Sequence, residues 1–148
     1  MRSAEILGVI TIGFPFCAFK VLTGKTALER LPMPWGAFVG GFLLALGMLD
    51  LVINVTDLVF LIFKGKRIAS TCTLTLAAGV FRRGWKELGT SLDVMLSFTL
   101  VAIMVGGGFF RDFDKATLVL WDVSVVFNVL GAGLNRLVGS LGNLRQAE

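Results

Sequence analysis

Residues 36–63 read GAFVGGFLLALGMLDLVINVTDLVFLIF, and the only charges in the stretch are Asp50 and Asp57. A run of eighteen or more apolar residues is long enough to cross a hydrocarbon core of about 30 Å as a helix. In lipid every backbone N–H and C=O must be satisfied within the protein, so the stretch has to be a helix and not an open strand. This one reading decides the fold class.

Three further apolar segments lie around it, at about 4–22, 92–110 and 117–139. The whole chain agrees with them. Of its 148 residues 55% are hydrophobic and 16% charged, with a mean hydropathy of +0.84. Soluble domains carry about a quarter charged residues. The expectation is an all-α integral membrane protein, a bundle of four transmembrane helices forming a single domain over 1–148.

Positive charge sets the orientation. Lys64, Lys66, Arg67, Arg82, Arg83 and Lys86 crowd the 64–91 loop against a single Glu87. The stretches TGKTALERLPMPW (23–35) and RDFDK (111–115) carry mixed charge. By the positive-inside rule the basic loop between helices 2 and 3 is cytoplasmic, and so are both termini. The six basic side chains are expected at lipid headgroups. Between them, IASTCTLTLAAGVF (68–81) is too short to span and too apolar to be fully solvated, which suits a surface-lying or re-entrant segment, with Trp85 at headgroup level, or equally a segment packed on the cytoplasmic ends of the bundle. The expected location is a bacterial cytoplasmic membrane. A cleaved leader is not expected, because Glu5 spoils the basic n-region and no small-x-small site follows Cys17. Pro15 should kink the first helix, and Lys20, near its end, should snorkel to the outer interface.

Composition excludes several chemistries. With no histidine there is no imidazole metal site and no Ser-His-Asp or Cys-His catalysis. Cys17 and Cys72 fall in different topological regions and form no CxxC pair, so neither a disulfide nor a cofactor is expected. Gly24-Lys25-Thr26 lacks the upstream glycine of a phosphate-binding loop, since that position is Phe19. Nucleic acid is not an expected partner, because the basic charge lies beside membrane spans.

Small residues recur at helix-packing spacing: Gly36 with Gly40, Gly41 with Ala45, and Ala102 with Gly106. In lipid such pairs let helix backbones approach closely. Packing within the bundle is favoured over an oligomer interface.

The chemistry lies in the polar residues. Asp50, Asn54 and Asp57 fall at i, i+4 and i+7 on one helical face. A charge facing lipid costs several kcal/mol, so that face must meet protein or water. Helix levels place Asn128 beside Asp50, and Asp93, Asn135 and Arg136 in a lower layer with Asp57. Arg136 is expected to pair with Asp57 or Asp93, making helices 2 and 4 neighbours. Asp50 has no cation at its level, which leaves it protonated, ion-binding or paired with another chain.

Three functions fit. The first is a non-catalytic membrane subunit, binding other transmembrane proteins or its own copies, alongside lipid, through its small-residue and buried polar faces. The alternative is a small proton- or cation-coupled transporter or channel whose path is lined by Asp50, Asn54 and Asp57. A lipid-acting enzyme would need clustered carboxylates near the cytoplasmic face, and no such motif is present.

Overall fold

The computed structural model describes residues 2–66, 72–81 and 83–146, with the side chains of 2–4, 83, 132, 135, 136 and 138–146 outside that description. Within it the chain is all-helical, and no strand occurs among the described residues. Three helices are long and apolar enough to cross a membrane: Glu5–Arg30, Gly36–Lys64 and Lys86–Gly106.

The first rod joins α1 (Arg2–Gly8), a π turn (Val9–Gly13) and α2 (Phe14–Arg30). The expected kink at Pro15 takes the form of this π turn, in which the Phe14 N–H bonds back to the Val9 carbonyl. A wider turn is one way for a helix to absorb a nearby residue that lacks an N–H. The rod does not stop near residue 22 as expected. Its continuation, TALER, consists largely of good helix formers, and the helix ends only at Leu31 (φ −86°, ψ 142°), ahead of Pro32. The supposed outer loop is therefore mostly helix.

The second rod pairs a π turn (Gly36–Gly40) with α3 (Gly41–Lys64). It closes at Gly65, where φ is +67° and the N–H reaches the Leu61 carbonyl. This left-handed cap favours glycine. A short helix α4 (Thr73–Phe81) and a 3₁₀ turn (Arg83–Trp85) lead into α5 (Lys86–Gly106). α5 starts six residues before the expected 92, and Phe109–Asp112 form a separate 3₁₀ turn. The last helix, α6 (Lys115–Gln146), contains the fourth apolar segment. Asp114 caps it, its carboxylate accepting from the N–H groups of Ala116 and Thr117 and from the Thr117 hydroxyl. Those hydrogen bonds, led by the Thr117 hydroxyl, hold the Asp114 carboxyl below its ordinary value.

The first rod is the hub. Gly24 lies against Gly40 and Gly47 against Lys20 and Val21, so α3 runs antiparallel to it. Gly131 fits against Thr11 and the Trp121 ring meets that of Phe19 at a tilt of 60°, so α6 is also antiparallel. Both α3 and α6 pack chiefly on the first rod. An apolar cluster of Phe16, Phe19, Leu22, Met104 and Trp121 joins α2, α5 and α6. The outward faces carry Phe38, Phe42, Val52 and Phe63, all more than half exposed, while Asp50, Asn54, Asp57 and Asp93 point inward and are buried. Apolar side chains outside and polar ones inside is the distribution lipid demands.

Candidate functional site

The site follows from where the first rod ends. Because the helix continues to Arg30, Lys20 sits near its middle and not at an interface, and it is completely buried. Its ammonium lies 2.5 Å from Asp50 Oδ2 and also donates to Asp93 Oδ1. Asp50 is 1% exposed and Asp93 5%. Both belong to helices able to cross a membrane, so three charges meet deep inside the bundle. A buried ion is tolerable only when paired and hydrogen-bonded.

Asp50 therefore has a cation at its own level, contrary to the sequence expectation. Lys20 does not snorkel. Asp93 is not in a lower layer, because the early start of α5 puts it two turns inside that helix, level with Lys20 and Asp50. Its partner is Lys20. The side chains of Arg136 and Asn135 lie outside the described residues, as do Arg67 and Arg82 and the side chain of Arg83. Asp57 is buried at 2% exposure.

A second element reaches the cluster. The backbone N–H of Thr73, at the start of α4, donates to Asp50 Oδ1 at 2.6 Å. Asp50 lies midway along Gly36–Lys64, so α4 begins at depth and runs outward to exposed Val80 and Phe81. Of the 68–81 segment, residues 68–71 lie outside the described residues, and α4 packs against α5. Thr75 fastens α4 to α5 through the Thr90 hydroxyl. The N-terminus of a helix presents free amides and a partial positive charge, which suits a carboxylate.

Asn54 donates to the Asp50 carbonyl at 2.8 Å and to Cys17 Sγ at 3.5 Å. Its amide lies over Gly13 in the π turn, where a Cβ would come within 2.3 Å of Asn54 Oδ1. On α6, Asn128 is buried on the same face as Trp121, Ser124 and Gly131, the face that meets the first rod. Of the small residues, Gly36 and Gly40 pack on the first rod, whereas Gly41 and Gly106 have nothing within 4 Å and Ala45 and Ala102 are exposed. Lys64 lies over the Phe60 ring, Lys66 is exposed, and the exposed Lys86 covers Gly79.

Beside the cluster is a cavity of about 230 Å³. Lys20, Asp50, Asp93, Asn54, Cys17 and Cys72 line it, with apolar walls from Val9, Ile12, Phe16 and Val94. Gly8, Asn54 and Thr90 lie on the N-terminal side of the cluster, so the cavity extends toward the end of the bundle that carries the N-terminus and the basic loop. Cys17 and Cys72, expected in separate regions, share its wall as free thiols. Among the described residues no group of three or more Cys, Asp or Glu is disposed to hold a metal ion. A second cavity of about 210 Å³, lined by Thr23, Leu43, Leu100 and Met104 and reaching Arg30, lies on the other side. Lys20 lines the first and Thr23 the second, three residues apart on the same helix, about 4.5 Å of rise.

Sequence reasoning missed Lys20, Gly13, Gly24 and Thr73. A signal existed for Lys20: no proline follows it before Pro32 and TALER favours helix, so a helix centred on it was readable. Thr73 left none, since its role depends on the return of α4. Comparison of this chain with known protein families, characterised proteins and solved structures finds no match.

Proposed function

We propose that this chain is a small proton- or cation-coupled membrane transporter or channel whose ion-binding centre is Lys20, Asp50 and Asp93. The observation that carries the reading is the cavity, which brings Lys20, Asp50, Asp93 and Asn54 to one open space at membrane depth. Ionisable groups within a span are costly and mark ion or proton pathways when they line a cavity. Asp57 lies two turns beyond Asp50 toward the same end and extends the polar side of α3. The work asked of the chain is binding and release of an ion.

The proposed topology has four spans, α6 being the fourth, with both termini cytoplasmic and the protein in a bacterial inner membrane. The basic loop supports it: Lys64 and Lys86 end and begin helices at the end of the bundle that carries the N-terminus, and Lys66, Arg67, Arg82 and Arg83 lie between them in sequence, while Lys25, Glu29, Arg30, Arg111 and Asp112 mix at the other end. In that orientation the polar cavity faces the cytoplasm and the second cavity the outside.

The reading is tested with purified protein in liposomes holding a pH-sensitive dye, under an imposed membrane potential. Wild-type protein should move protons or a cation, and Lys20→Met should not. No flux from the wild-type protein with any of H⁺, Na⁺ or K⁺ would overturn transport.

A second reading, the assembly partner, is favoured by exposed Asp122 on α6, since a carboxylate facing lipid calls for a companion. Its argument from an unmatched Asp50 is gone. Native mass spectrometry from mild detergent decides it: a clean monomer or homo-oligomer argues against another protein as partner.

A further inference from the structure

We propose that Asp93 is the carboxylate that loads the ion and that the ion is a proton, an inference that rests on the transport reading above. Lys20, Asp50 and Asp93 together carry one positive and two negative charges, so the centre is one positive charge short of neutrality. A net charge deep in a bundle is unfavourable, and one monovalent cation would remove it. The two carboxylates are not equivalent. Asp50 is bonded through both oxygens, Oδ2 to the Lys20 ammonium and Oδ1 to the Thr73 N–H. Among the described residues Asp93 bonds only Lys20, through Oδ1, and its side chain borders the cavity. The oxygen open to a newcomer is Asp93 Oδ2.

A metal cation fits poorly at that position. The ammonium already occupies the place between the carboxylates, and no three-ligand group is available among the described residues. Hard cations want six or more oxygen ligands at fixed distances. A proton needs one lone pair. Hydronium arriving through the cavity gives its proton to Asp93 Oδ2, an O–H bond forms, and water is left behind. The groups facing this event are Lys20 and Cys17 from α2, Asp50 from α3, and Cys72 just ahead of α4. Neutral Asp93 still accepts a hydrogen bond from the Lys20 ammonium, but the Coulombic attraction between two opposite charges is lost. The α4–α5 hairpin is then less firmly tied to the first rod, while Lys20 stays with Asp50. Asp50 is thus a structural anchor and Asp93 the loading group.

The test is infrared difference spectroscopy of the full chain in lipid, following the protonated-carboxyl stretch as pH is lowered. The chain holds ten Asp and Glu residues, so the band sought is that of a buried carboxyl, distinct from those of the exposed carboxyls and insensitive to Na⁺ or K⁺ at constant pH. Asp93→Glu should shift that band and Asp50→Glu should leave it in place, two substitutions that keep the charge of the centre. Asp93→Asn and Asp50→Asn should each remove it, because either leaves a single carboxylate opposite Lys20. A band shifted by Asp50→Glu and not by Asp93→Glu, a band suppressed by Na⁺ or K⁺, or no such band at all would overturn the proposal. Flux measured on the same liposomes separates the two failures: flux with the wrong band assignment sinks only the Asp93 inference, and absent flux sinks the transport reading.

Discussion

Replacing Lys20 with methionine keeps most of the side-chain volume and removes one buried positive charge. Lys20 is 0% exposed and Asp50 and Asp93 lie at 1% and 5%, so water cannot easily compensate either carboxylate. Removing one partner of a buried ion pair costs about 3–5 kcal/mol, because the other charge remains buried and unpaired. That is a large part of the 5–15 kcal/mol typical of a folded domain. The folded variant relieves itself by taking up a proton that the unfolded chain at neutral pH does not hold. The folded state then binds more protons, so stability of the variant rises as pH falls. Replacing all three, Lys20→Met with Asp50→Asn and Asp93→Asn, removes every charge together, so no unpaired buried charge remains. The triple variant should therefore regain most of what the single variant loses and lack the acid recovery. Equilibrium unfolding in mixed micelles, read by tryptophan fluorescence through buried Trp121, measures both. A Lys20→Met protein as stable as wild type, or a triple variant as unstable as the single one at every pH, would refute the reasoning.

The helix contacts, the α6 cap and the outer rim each give a further prediction. Gly40→Val places a Cβ 2.7 Å from the Gly24 carbonyl and should cost about 1–3 kcal/mol by overpacking, whereas Gly41→Ala, with nothing within 4 Å, should be neutral or stabilise by up to about 1 kcal/mol; thermal unfolding of the two separates them. Asp114→Ala should fray the first turn of α6, seen as faster amide exchange at Ala116 and Thr117, while Asp114→Asn should not. Because its folded value is lowered, the Asp114 contribution is present above the ordinary carboxylate range and is lost as pH falls through the folded value; Asp114→Asn should remove that dependence. Arg30 and Asp112 pair at 2.7 Å but are half exposed or more, so Arg30→Ala should cost less than about 1 kcal/mol, and less still at high salt.

Much of the fold was legible because lipid imposes simple rules. Hydropathy located the apolar segments, and the i, i+4, i+7 spacing put Asp50, Asn54 and Asp57 on one face, which the structure buries. The site was read less well for one physical reason. Segment ends were placed where polar residues begin, yet a helix stops where propensity or a breaker stops it. TGKTALER continues the first rod until Leu31 meets Pro32, and KELGTS begins α5 early. Moving those two ends by six to eight residues brings Lys20 and Asp93 from the margins to the middle. The contact of Thr73 with Asp50 was beyond periodicity, since it depends on a tertiary return of the chain. Cys17 and Cys72 share a wall for the same reason.

The central claim is that one ammonium holds two carboxylates inside the membrane and that only one of them takes up a proton. Solid-state NMR of the protein in liposomes, with ¹⁵N-labelled lysine and ¹³C-labelled aspartate carboxyls, tests it directly. The account predicts strong dipolar coupling from Lys20 Nζ to both Asp50 and Asp93 at neutral pH, as expected for pairs within about 4 Å. On acidification the Asp93 carboxyl shift should move and that of Asp50 should stay. A Lys20 nitrogen coupled to neither carboxyl, or an Asp50 signal that titrates while Asp93 does not, would contradict it.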